Sequence, residues 1–336
     1  MVVGTPACRA CKMDHLADGL LREMGFSILM DQGRPIDAWR HGTLHSLAVS
    51  VVIPTKNRAA DLAKTIDTLL IQTVKPVELI IVDQSPTRSF SREISIPVRY
   101  IHDPLISGAS TARNASMQVA RGDVWLFLDD DVLLEPDFLE QILNAYDKDV
   151  TGVSGIIMNY SIPPVKQRLW EALFQLGPFR DQRQSIYRKA DRLRDGKPIR
   201  VQQFGGGLMS FRAAAIRNHR FDPNLTGASP GEDIDFCAGL PKAGVLLIAP
   251  RARLIHNRSP ESRDPTHWIR VDAQVASYMR ERHWKRGVWN NICYGWLNLG
   301  YALLAMFSSL KKFSRAPWVD WREGIRRGQQ IARGQS

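Results

Sequence analysis

From Leu47 onward the chain alternates short apolar runs with amphipathic stretches, and the apolar runs that can be followed to their ends stop at polar residues or proline. Val49-Ser50-Val51-Val52-Ile53 stops at Pro54, and Asp61 to Ile71 then places Leu62, Ile66, Leu69 and Leu70 on one helical face. Val77 to Val82 ends in Asp83-Gln84-Ser85-Pro86, and Val98 to Ile101 is a third run. Ser110 to Ala120 reads as a helix, and Val124-Trp125-Leu126-Phe127-Leu128 leads into Asp129-Asp130-Asp131. Apolar runs without polar alternation are strands covered on both faces. Alternating with helices, they predict an α/β fold with right-handed crossovers and a mainly parallel sheet, with ligands bound outside the carboxyl ends of the strands. With 336 residues, 44% of them hydrophobic, there is ample core for one large domain or two smaller ones.

The residues at those carboxyl ends are Thr55, Asn57, Arg58, Asp83 and the three acids. Three adjacent carboxylates repel one another unless something positive sits among them. Magnesium or manganese shared with a substrate's phosphates would serve, since both take carboxylate and phosphate oxygens. A solvated acidic turn before the helix opened by Glu135-Pro136-Asp137 is the alternative. Further along, Phe204-Gly205-Gly206-Gly207-Leu208-Met209-Ser210 puts three glycines where backbone must approach something closely, without the Lys-Ser/Thr ending of a phosphate-binding loop. A turn-rich loop from Asp222 leads to Gly231-Glu232-Asp233-Ile234-Asp235-Phe236, the start of a helix expected to continue to Lys242. Acids there either complement the helix dipole, worth about 0.3–1 kcal/mol, or hold a carboxylate beside a substrate to accept a proton. Val245 to Ala249 reads as a last strand, followed by Ala252-Arg253-Leu254-Ile255-His256. Next to an acidic metal site, His256 reads as a ligand.

The net charge of +11 points to anionic partners. Residues 163–202 carry ten Lys/Arg against four acids, with Trp170, Phe174, Phe179 and Tyr187 interleaved. The spacing of Leu169, Leu173 and Leu176 suits an amphipathic helix on a membrane or lipid acceptor better than a nucleic-acid surface. Ile292 to Leu310 is a 19-residue run without a charge, just long enough to cross a bilayer. Its basic flanks and the crowding of Trp289, Tyr294, Trp296 and Tyr301 favour a helix lying in the membrane plane, with a full span and a packed internal helix as alternatives. Residues 311–336, with seven Lys/Arg against two acids, fit an anionic cytoplasmic leaflet. Cys8, Cys11, Cys237 and Cys293 are too few and scattered for a disulfide framework, and no second pair completes a zinc site with Cys8 and Cys11. Nothing at the start reads as a secretory signal, so a cytoplasmic location is expected. The organisation expected is a 1–46 appendage with a short helix through Leu16, Leu20, Leu21 and Met24, a 47–260 catalytic domain, and a 261–336 basic helical region.

Several segments, in this order, resemble a known family. They are Val51-Val52-Ile53-Pro54-Thr55-Lys56-Asn57-Arg58, Ile80-Ile81-Val82-Asp83-Gln84-Ser85 and Gly108-Ala109-Ser110-Thr111-Ala112-Arg113-Asn114, then Phe127-Leu128-Asp129-Asp130-Asp131, Gly231-Glu232-Asp233-Ile234-Asp235-Phe236 and His256. Over about residues 48–258 the chain resembles the inverting glycosyltransferases of family 2, with the GT-A fold. The resemblance implies that Pro54, Thr55, Asn57 and Arg58 line a nucleotide pocket, with Asp83 hydrogen-bonding the base. Gly108, Arg113, Asp129 and Asp130 would contact the nucleotide-sugar donor, and Asp129, Asp131 and His256 would hold Mn2+ or Mg2+. Asp233 would be the general base, with Glu232 orienting acceptor or loop. Processive members carry a Gln-x-x-Arg-Trp motif that is absent here, where Arg282-His283-Trp284 stands alone. The expectation is one sugar per encounter, added to a lipid-linked or other glycan acceptor by a peripheral or monotopic protein on an anionic membrane surface, in bacterial polysaccharide or glycan assembly. Nucleic acid is not an expected partner. Alternatives are a degenerate membrane scaffold on the same fold, and a nucleotidyltransferase, whose glycine-rich signature near the first strand is missing.

Overall fold

The computed structural model describes residues 47–181, 186, 196–226, 230–241, 244–257, 268–284 and 287–334. The expectations placed on residues 1–46 and Tyr187 lie outside the described residues, and the helix expected to run from Gly231 to Lys242 ends at Ala238, with Gly239 as its C-cap. Four strands, β1 (Val49–Thr55), β2 (Glu78–Asp83), β3 (Val98–His102) and β4 (Val124–Leu128), pair in parallel in the order β3-β2-β1-β4. Helices α1 (Ala59–Leu70) and α2 (Ala109–Met117) cross between them. Every residue of β2 and β4 is buried, as their unbroken apolar runs require. The inward face of α1 is Leu62, Thr65, Ile66 and Leu69.

Beyond β4 the sheet departs from the expected parallel order. β5 (Val132–Leu134), α3 (Phe138–Asn144), β6 (Val150–Ile157), α4 (Val165–Phe174), β7 (Ile199–Val201) and β8 (Leu208–Arg212) follow. After them come α5 (Ala213–Ile216), α6 (Glu232–Ala238) and β9 (Val245–His256). β8 runs antiparallel between β4 and β6, and β5 and β7 are antiparallel to β9, so the sheet is mixed. The β4–β8 register pairs Leu128 with Leu208, which delivers the glycine loop before β8 to the rim where β4 ends in acids.

The two segments expected around Pro250 are one twelve-residue strand. Pro250 falls where the ladder to β6 shifts register between Ser154 and Ile156, the kind of irregularity at which a residue without an N–H is tolerated. The last three residues of β9 pair with β5, His256 opposite Val132. The main core gathers Trp125, Phe127, Phe204, Phe211, Phe221 and Phe236 under the sheet, each side chain worth about 1.5–3 kcal/mol on burial.

Three helices complete the described chain: α7 (Trp268–Met279), extended by a π turn at Arg280–Trp284, α8 (Val288–Lys312) and α9 (Ala316–Ala332). Among the described residues no helix is long and apolar enough to cross a membrane, which removes the full-span reading of 292–310. Instead α8 buries Cys293, Leu297, Tyr301 and Ala305 in the protein. Leu176 lies beyond the end of α4, so the apolar stripe of that helix is Val165, Leu169 and Leu173.

Candidate active site

The acidic triplet divides its work. Asp130 turns inward, 4% exposed, and accepts from Thr55 Oγ1 at 2.6 Å and Arg58 Nη1 at 3.0 Å. Burial pushes its carboxyl up to about 6 despite those partners. Asp130, expected among the donor contacts, is a brace that ties the end of β4 to the end of β1 through Thr55 and Arg58. Asp131 Oδ1 lies 2.9 Å from His256 Nε2, and Asp129 Oδ2 lies 3.7 Å from the same nitrogen. The ligand atoms of Asp129, Asp131 and His256 all fall within 4.8 Å of one another. Two carboxylates and one imidazole on that scale suit a manganese-type divalent cation. Reciprocal bonds with Asn159, each 2.9 Å, fix the backbone of His256 at the end of β9.

A second set of groups sits on the neighbouring residue of the glycine loop. Arg113, on α2, is 1% exposed. Its Nη1 donates to Glu232 Oε1 and its Nη2 to Gly206 O, both at 2.7 Å, and Nη2 lies 3.7 Å from Asp129 Oδ1. The Gly206 N–H donates to Asp233 Oδ2 at 2.8 Å. A Cβ on Gly206 would meet Glu232 Oε1 at 2.5 Å, and one on Gly207 would meet Asp129 Oδ2 at 2.8 Å and the His256 ring at 3.3 Å. Glycine permits both approaches without displacing these carboxylates. Burial first, and then the charge of Asp233, push the Glu232 carboxyl up, while Arg113 pulls it back. The two acids at the start of α6 are therefore not equivalent. Glu232 is buried and held by Arg113, whereas the Asp233 carboxylate is partly exposed and oriented by backbone amides of Gly206 and Ile234.

The remaining expected residues form the wall of the same rim. Asp83 accepts from the Ser85 N–H, from the Ser89 N–H and hydroxyl, and from the Tyr100 hydroxyl. Asn57, in the left-handed region at φ 58°, donates its N–H to Ser85 Oγ, and Gly108 donates its N–H to Gln84 Oε1, both at 2.8 Å. Pro54 lies opposite Val82 in the β1–β2 register. Asp83 thus orders the loop that Asn57 and Gly108 touch, a role beyond the expected contact to a base.

Behind α6 stands a cluster that the sequence reading missed. Tyr278 Oη lies 2.7 Å from Asp222 Oδ2 and 2.9 Å from Asp235 Oδ1. Arg282 Nη1 donates to Asp222 at 2.8 Å, and His283 Nε2 lies 2.7 Å from Asp235 Oδ1. The only signal in the sequence was Asp235, two residues after the expected base. Its partners, about fifty residues later, are Tyr278 near the end of α7 and Arg282 and His283 in the π turn that follows. This network fixes the helix that carries Asp233.

The glycosyl transferase family 2 model matches residues 50–215. The chain carries a family 2 glycosyltransferase domain. It is similar to the succinoglycan biosynthesis protein ExoM of Rhizobium meliloti, 28% identical over 179 residues, 53% of either chain. It is also similar to the glucosyl-dolichyl phosphate glucuronosyltransferase of Haloferax volcanii, 30% identical over 122 residues, 33% of this chain and 39% of that one. The chain thus spans about half or less of these relatives. Among solved structures it resembles the mannosyltransferase PcManGT from Pyrobaculum calidifontis in complex with GDP-Man and Mn2+, with a TM-score of 0.51 and 14% identity over 97% of this chain and 96% of that one. The shared architecture is the GT-A fold.

The matched part of the family 2 domain ends before Asp233 and His256, which join the site through α6 and β9. Within the domain, burial pushes the Asp83 carboxyl up, but the hydrogen bonds from Ser85, Ser89 and Tyr100 outweigh it and hold the group well below the usual carboxylate range. A depressed acid contributes stability that is complete above the ordinary pKa, about 4, and fades as pH falls below it. Asp83→Asn is expected to lower stability by about 2 kcal/mol at neutral pH. The gap from the parent protein should narrow as melting curves are taken from pH 5 toward pH 3. A gap that stays constant with pH would separate Asp83 from this linkage.

Proposed function

We propose that the protein transfers one sugar, with inversion, from a nucleoside-diphosphate sugar to a hydroxyl of a lipid-linked glycan at the cytoplasmic face of a membrane. The observation that carries the reading is the Gly206-Gly207 pair. One glycine abuts Asp129 and His256, and the next abuts Glu232 and donates to Asp233. Cation ligands and a proton acceptor therefore pack against adjacent residues of one loop, as transfer between a diphosphate and a hydroxyl requires.

Asp129, Asp131 and His256 would hold the divalent cation, which neutralises charge developing on the leaving diphosphate. Substitution at the anomeric carbon passes through an oxocarbenium-like state, and a single base on the opposite face yields inversion. Asp233 takes the proton of the acceptor hydroxyl, a role closed to Glu232 by its bond to Arg113. Arg113 ties the two halves of the site, reaching Glu232 and Gly206 on one side and Asp129 on the other. The GDP-Man and Mn2+ in PcManGT support the donor and metal, and the name of the Haloferax relative supports a lipid-linked acceptor.

The test is a thermal-shift panel with Mn2+ or Mg2+ against UDP-, GDP-, dTDP- and CMP-sugars. One nucleotide class is expected to stabilise the protein only with metal, by about 2.7 kcal/mol at a hundredfold excess over Kd, read as a rise in melting point. Asp131→Ala should abolish the metal requirement together with the shift. If no nucleotide stabilises the protein with either ion, the fold serves as a scaffold and the transferase reading fails.

A further inference from the structure

We propose that α4 and α8 together form one face that docks in the plane of an anionic lipid bilayer. α8 has two stripes. Cys293, Leu297, Tyr301 and Ala305 face the protein, while Val288, Ile292, Trp296, Leu299, Met306 and Leu310 recur at helical spacing and are exposed. At the helix end Phe313 adopts a left-handed conformation and is 99% exposed. The outward stripe runs the length of a 25-residue helix, about 37 Å at 1.5 Å per residue.

α4 widens this stripe. Val165, Leu169 and Leu173 are each more than half exposed. The two helices are joined where Trp296 Nε1 donates to Leu173 O at 2.7 Å and Trp170 Nε1 to Gly300 O at 3.3 Å. The Phe174 ring lies against Gly300, where a Cβ would come within 2.4 Å of it. The exposed apolar residues of α4 and α8 are thereby contiguous, and a contiguous patch marks an interaction surface where scattered apolar residues do not.

Charge selects the occupant. No acid occurs between Glu281 and Asp320, whereas Lys285, Arg286, Lys311, Lys312 and Arg315 bracket the uncharged run. Lys311 and Arg315 are exposed, as is Lys166 on α4. Trp289, Trp296 and Trp318 are each at least 38% exposed, the amphipathic rings expected at headgroup level. Apolar residues flanked by cations and aromatic rings, on a helix that does not span, describe an in-plane helix on anionic lipid. This deepens the lipid-linked acceptor reading and rests on it for its part in transfer.

The test is flotation of the full chain, without donor, on vesicles of phosphatidylcholine alone or mixed with phosphatidylglycerol. Flotation is expected with the mixed vesicles and should decline with salt. Leu299→Asp and Leu310→Asp are each expected to lower the bound fraction about tenfold, with melting point and metal-dependent nucleotide stabilisation unchanged. Failure to float on the anionic vesicles at low salt overturns the proposal, as do variants that float like the parent. A dimer that Leu299→Asp converts to monomer, with no flotation of either form, assigns the face to a second copy instead. Flotation without any nucleotide stabilisation would sink the transferase reading and leave the docking face standing.

Discussion

Asp233→Asn is expected to lower kcat by about 10²–10⁴-fold, the usual contribution of a positioned general base, while metal-dependent stabilisation by the donor nucleotide persists. The prediction follows from the asymmetry at the start of α6. Both acids lie beside Gly206, but Glu232 is buried and spends Oε1 on Arg113, leaving Asp233 as the more exposed carboxylate. Asn retains an oxygen that can accept the Gly206 N–H, so the loop should keep its shape and the loss should fall on turnover rather than on donor binding. Single-turnover transfer to a soluble acceptor, alongside the thermal-shift panel, reads the two effects separately. Equal activity of the Asn variant would hand the base role to another group or support the scaffold reading. A matching collapse of donor stabilisation would make Asp233 part of the donor pocket.

Arg113→Met is expected to cost about 3–5 kcal/mol of stability, because it strands charges that the guanidinium neutralises in the interior. Met approximates the volume of the side chain, so the loss should not come from a void. Glu232 would lose its 2.7 Å partner, the Gly206 carbonyl would lose a donor, and Asp129 would lose the nearest guanidinium. Denaturant unfolding of the single variant and of the Arg113→Met/Glu232→Gln pair measures this. The double variant is expected to recover part of the loss, since it removes the stranded carboxylate along with its partner. If the second change adds a further loss instead, the ion pair is not what Arg113 stabilises. Donor stabilisation should weaken in both variants, because Arg113 is the link between the base loop and Asp129.

Much of the domain was legible in the chain itself. Burial on both faces dictates the unbroken apolar runs of β1, β2 and β4, and helical periodicity dictates the inward face of α1, so these elements and the rim they share follow from local pattern. The resemblance carried by the ordered motifs implied one site for Asp129, Asp131, Asp233 and His256. What periodicity cannot encode is which strand pairs with which. The antiparallel β4–β8 register brings the glycine loop against Asp129, and the β9–β5 pairing carries His256 to Asp131. Such contacts join residues tens to more than a hundred positions apart, and their free energy comes from burial and ladder bonds that exist only once the sheet has formed.

The same division holds for individual side chains. Three consecutive acids looked alike in sequence, yet the turn between β4 and β5 points Asp130 to Thr55 and Arg58, while Asp129 and Asp131 meet at His256. The uncharged run at 292–310 offered a span, an in-plane helix or an internal one. Only packing decided that one stripe of α8 is buried against the protein and the other is left to face outward. Composition and periodicity determined the elements and the chemistry available to them. The tertiary structure decided which carboxylates brace the fold and which are left to act, because that choice depends on partners brought together only by long-range pairing.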